Sequence, residues 1–153
     1  MALATQPLYN ALIRRSIDLQ RLCQLAAQQV AEPGLRVVLM ENAAALEMFV
    51  LDLQMELSAR GGRPATSGRW RGPLQRRLAR WWSRGMPLRD SQWIRLLSRR
   101  ERVLASLFEE TVALAPVDTA QCLRRLAPRL QAVHLDMGSL AGATHQAPLR
   151  SCP

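Results

Sequence analysis

The chain has 153 residues, 48% of them hydrophobic and 22% charged, and a formal net charge of +9. That length suits one domain able to bury about two-thirds of its unfolded surface, and the excess of leucine and alanine over β-branched residues excludes a disordered chain and points to an all-α fold. Three cysteines, Cys23, Cys122 and Cys152, show no C-x-x-C or metal-type spacing, which argues against a disulfide framework or zinc site and for reduced thiols in a cytoplasmic protein.

Helical spacing begins at Leu8 and continues through Leu12, Leu19, Leu22, Ala26 and Val30. Pro33 and Gly34 end this first helix near Glu32. A second helix places Leu35, Val38, Leu39, Leu46, Phe49 and Leu53 on one face and stops at Gly61-Gly62. So short a break between long helices predicts an antiparallel hairpin. Residues 61–73 are rich in glycine, proline, serine and arginine, and read as irregular connection. Leu74, Leu78, Trp81 and Trp82 then mark a short amphipathic helix closed by Gly85 and Pro87. The whole crossover, 61–87, is far longer than a bundle loop needs. The third long helix aligns Trp93, Leu97, Leu104, Phe108, Thr111 and Ala115 and ends before Pro116. The fourth aligns Leu123, Leu126, Leu130, Val133, Met137 and Ala141, with Asp118 or Thr119 as cap and a kink expected at Pro128. This gives a single domain over 1–142 and a flexible tail over 143–153. Met1 to Arg15 lacks the apolar core of a signal peptide, and no 18-residue apolar window exists.

Two hairpins joined by one long crossover suit the ferritin-like variant of the four-helix bundle. The connection Gly61-Gly62-x-Pro64-x-x-Ser67-Gly68-x-x-x-Gly72-x-x-x-Arg76, with Trp81 following, resembles a bacterial family of ferritin-like four-helix-bundle proteins classed as a domain of unknown function. The likeness extends to Asn10-x-Leu12-Ile13 and Asp18, to Pro33-x-Leu35, to Glu101 with Phe108-Glu109, and to His134. It implies a rubrerythrin-related fold over roughly residues 8–140 and supplies no reaction. The chain departs from the family in its arginine-rich surface, and in Asp18-Leu19 and Arg100-Glu101, where an acid usually neighbours a glycine.

A di-iron centre of that fold needs a Glu from two helices and Glu-x-x-His from the other two. The chain has no Glu-x-x-His; Gln131-x-x-His134 comes nearest. At about 100° per residue, the polar residues closest to the apolar stripes are Arg15, Asn42, Arg100, Glu101 and His134, with Asp18 and Glu41 at the edge. Two inward arginines oppose two divalent cations, so no cofactor is expected, and Asp18, Glu41, Glu101 and His134 remain the candidates for a single-metal site. The alternative is a buried polar network in which Arg100 or Arg15 pairs with Glu101, and Asn42 and His134 complete the hydrogen bonds. No nucleophile-base-acid set stands out: His145 falls in the tail, and Cys23 sits at core spacing.

Charge is concentrated in the middle. Thirteen arginines against two acids make residues 60–102 +11, whereas eight against ten make the remainder −2. All four tryptophans fall in the same stretch, and the chain has no lysine. Arg71, Arg76, Arg77, Arg80 and Arg84 surround the short crossover helix, a pattern that suits nucleic-acid phosphates or an anionic membrane surface. Packing of the tryptophans over the bundle explains the same residues without a ligand. The sequence thus leads to a non-catalytic interaction or stress-associated bundle, self-associating as a dimer. Polyanion binding through the crossover, or a rubrerythrin-like metal site, are the alternatives.

Overall fold

The computed structural model describes residues 2–68 and 88–145. Four helices supply its regular structure: α1 (Ala2–Gln29), α2 (Pro33–Ala59), α3 (Asp90–Leu114) and α4 (Val117–His145). There is no strand among the described residues. The expected crossover helix lies outside them, with Trp81, Trp82, Arg71, Arg76, Arg77, Arg80 and Arg84, as do residues 146–153 of the tail.

Each helix turns its apolar stripe inward. Leu12, Leu19, Leu22 and Val30 of α1, Leu39, Leu46, Phe49 and Leu53 of α2, Trp93, Leu97, Leu104 and Phe108 of α3, and Leu123, Leu130, Val133 and Met137 of α4 are all buried in one cluster. Phe49 and Phe108 meet across the middle with ring centroids 6.0 Å apart and planes tilted by 59°, toward the edge-to-face arrangement that two quadrupoles favour. The main packing partners are α1 with α2 and α3 with α4, and the ring is closed by α1 against α3 and α2 against α4.

Hydrogen bonds at the two ends fix the helix directions. At one end the Asp90 carboxylate, at the start of α3, accepts from the backbone N–H of Ala31 at 2.9 Å and of Glu32 at 3.1 Å, in the α1–α2 turn. At the other, Arg60 just beyond α2 reaches Thr119 and Cys122 in the first turns of α4. Neighbouring helices are therefore antiparallel all round, and Arg60 and Asp90 stand at opposite ends of the bundle.

The first residues of the link between α2 and α3 lie in the groove between α1 and α2. Asn10 grips it twice, donating from Nδ2 to Arg63 O at 3.1 Å and accepting from Ala65 N at 2.7 Å. Gln54 of α2 donates to Ala65 O at 2.9 Å. Farther along, Gly68 presses on α1 so closely that a Cβ there would collide with Asp18 Oδ1. Gly61 has φ 78°, the left-handed conformation that closes α2 at no steric cost only for glycine.

Helix boundaries differ from expectation at prolines and caps. Pro33 is the first residue of α2, where its missing N–H costs nothing, and the Glu32 side chain caps the helix by accepting from the N–H groups of Gly34 and Leu35. Helix α1 starts at Ala2 and runs through Pro7. Helix α4 starts at Val117, so Asp118 sits in its first turn and the Thr119 hydroxyl accepts from Arg60. It continues through Pro128 to His145, three residues past the expected end.

Candidate functional site

The sequence-predicted polar residues do not come together as one centre. Glu101, on the inner face of α3, is only 1% exposed. Its carboxylate accepts from His134 of α4, whose Nδ1 lies 2.9 Å from Oε1 and 2.8 Å from Oε2. The histidine side chain is 54% exposed, so the imidazole bridges a buried carboxylate to solvent.

The other candidates are elsewhere. Asp18 is half-buried on α1 beneath Gly68, and Glu41 is exposed on the outer side of α2. Among the described residues no three His, Cys, Asp or Glu side chains converge in a metal-holding group. Arg15 is half-buried and lines an open groove of about 330 Å³ between α1 and α3, together with Arg102, Val103, Ser106, Leu107 and Glu110. Arg100 is half-buried on α3. Asn42 is 2% exposed, yet its Nδ2, like Tyr9 Oη, Ser16 Oγ and Trp93 Nε1, has no hydrogen-bond partner among the described residues. Of the expected network, the Glu101–His134 pair is in hydrogen-bond contact.

A second polar cluster, absent from the sequence reading, ties the ends of α2 and α4. Arg60 Nη1 donates to Thr119 Oγ1 at 2.9 Å and Nη2 donates to Cys122 Sγ at 3.2 Å, while Nε lies 4.0 Å from Glu56. The buried Tyr9 phenol of α1 lies within reach of these charges. Burial raises its pKa above the ordinary 10.0, the Arg60 charge opposes that rise, and Glu56 and Cys122 add to it. Cys23 behaves as the core spacing predicts: it is fully buried, and desolvation pushes its thiol up to about 12, which makes it inert.

The largest unexpected feature is the outer face of α2. Val37, Met40, Met48, Leu51 and Met55 are between 42% and 70% exposed, and Ala44 completes the row. Steps of three and four residues put all six on one stripe, opposite the buried face. Helix α2 is thus apolar on two sides, and the second is a contiguous patch of the kind soluble monomers seldom leave uncovered. A basic stripe runs along α3, where Arg95, Arg99 and Arg102 are exposed at the same spacing.

No protein-family model matches the sequence, and no curated protein matches it significantly. None of the described helices is long and apolar enough to cross a membrane.

Proposed function

We propose that this chain is a non-catalytic, ferritin-like helical bundle that works as an interaction protein through the outer face of α2. The exposed row from Val37 to Met55 carries this reading. Six apolar positions in line on one helix expose far more oily surface than scattered side chains would, and a partner that covers them releases the water they order. The ferritin-like part rests on the antiparallel ring of helices, with the end of α2 and the start of α3 at opposite ends of the bundle. The non-catalytic part rests on Glu101 and His134, which supply one carboxylate and one imidazole where a di-iron centre needs ligands from four helices.

A photo-reactive residue placed at Leu51 in the cell tests the proposal. A discrete cross-linked product that disappears when Met48→Glu is added supports it. Absence of any product at Leu51, with products at a control position such as Leu135 of α4, overturns it.

The exposed Arg95, Arg99 and Arg102 of α3 favour a second reading, weak and sequence-independent attachment to a polyanion. Its measure is retention of duplex DNA at low salt by the unmodified chain, and loss of that retention when the three arginines become glutamine.

A further inference from the structure

We infer that the occupant of the α2 face is a second copy of this chain, packed antiparallel through the outer stripe about a twofold axis at the height of residue 46. This rests on the interaction reading above and goes further by naming the partner and the register.

The stripe is self-complementary. A twofold at that height lays Met55 of one copy on Val37 of the other, Leu51 on Met40, and Met48 on Ala44. Small meets large at the centre: the flexible methionine enters the space that Ala44 leaves, which lets the two helices approach closely. The same pairs recur on both sides of the axis, as an isologous interface requires.

Area is sufficient. From Val37 to Met55 there are eighteen residue steps, about 27 Å of helix. Half the lateral surface of such a helix, at a radius of about 6 Å, is roughly 500 Å². Two copies together remove about 1,000 Å² from water, the threshold at which specific interfaces begin.

Charge agrees with the register on one flank and opposes it mildly on the other. Asp52 pairs with Arg129 of α4 at 3.0 Å, and Glu41, eleven residues earlier, stands about three turns away along the same flank of the outer face. The twofold brings Glu41 of each copy toward the Asp52–Arg129 pair of the other. The Arg129 side chain is 44% exposed, and its guanidinium has donors beyond the Nε used within the chain. On the opposite flank Glu47 of each copy nears its mate. Both are at the solvent edge, where screening leaves a repulsion smaller than the gain from covering the stripe.

The test uses the full chain. Sedimentation at micromolar concentration is expected to give twice the 17.2 kDa chain mass. Leu51→Glu and Met48→Glu should each weaken the dimer by at least about tenfold with helical circular dichroism unchanged, while Leu135→Glu on α4 should leave it intact. Register is read in a Cys122→Ser, Cys152→Ser background, by mixing a Val37→Cys chain with a Met55→Cys chain. A disulfide between the two is expected. Val37→Cys pairing with itself instead, a monomer throughout, or a dimer indifferent to Leu51→Glu overturns the inference. A monomer whose Leu51 photo-product contains a different protein sinks self-pairing while leaving the interaction reading in place.

Discussion

At the scale of single residues, the interior holds polar atoms whose partners decide what a substitution does. Glu101 has given up water for one visible contact, His134. Removing the imidazole leaves a buried acceptor facing an opened, hydrated gap, so His134→Ala is expected to cost about 1–3 kcal/mol. Adding Glu101→Gln should recover part of that loss, and a double-mutant cycle in urea measures the coupling. Coupling near zero would mean that the carboxylate is satisfied without the histidine. Cys23 makes a different statement. Burial pushes its thiol up to about 12 from an ordinary 9.0, so well below pH 9 both folded and unfolded forms keep the proton and stability does not depend on this group. Above pH 9 the unfolded chain loses the proton first. Stability then falls by up to about 1.4 kcal/mol per pH unit, levelling near pH 12. Urea midpoints from pH 8 to 10.5 should show that decline, and Cys23→Ala should lessen it, leaving the part that buried Tyr9 adds toward the top of the range. An unaltered slope in the variant would assign the decline to other groups.

At the scale of helices, the sequence exposed the inner faces and hid the outer one. Leu12, Leu19, Leu22, Leu46, Phe49, Leu97, Leu104, Leu130 and Val133 were legible because each repeats at helical spacing beside polar neighbours, and all are buried. Helix α2 defeats the same logic. With apolar residues on two opposite faces it looks uniformly oily, and a rule that seeks one stripe finds the core and stops. The second series, Val37, Met40, Ala44, Met48, Leu51 and Met55, was present in the sequence at the same spacing. The end contacts were illegible for another reason: Asp90 with Ala31 and Arg60 with Thr119 join residues 59 positions apart, and no local pattern announces such a meeting. Asn10 and Gly68 stood in the resembling pattern without an evident role, and the structure supplies one, as the places where α1 and the link touch. The Arg60 clasp can be read optically, because Tyr9 is the one tyrosine in the chain. Arg60 lowers the phenol pKa that burial raises. Arg60→Ala should therefore move the ultraviolet phenolate titration of the folded protein to higher pH. A midpoint that stays put or falls would show that the guanidinium does not act on Tyr9.

At the scale of the whole molecule, two uses of the surface respond differently to salt. The chain carries +9, yet residues 33–59, which form α2, hold four acids and one arginine. A dimer through α2 brings together the least basic surfaces, but it still joins two cationic molecules. Added salt screens that long-range repulsion while leaving apolar burial untouched. Raising salt from about 50 to about 200 mM should therefore tighten self-association slightly, or leave it unchanged. Attachment to duplex DNA through Arg95, Arg99 and Arg102 should weaken over the same range, with a log-log slope near −0.9 for each phosphate neutralised. The two responses can be followed in one preparation, by sedimentation of the chain alone and by anisotropy of labelled DNA. Dissociation of the dimer as salt rises would place ion pairs, not the methionine and leucine row, at the heart of the interface. DNA affinity indifferent to salt would remove the arginine stripe of α3 from consideration as a phosphate-binding surface.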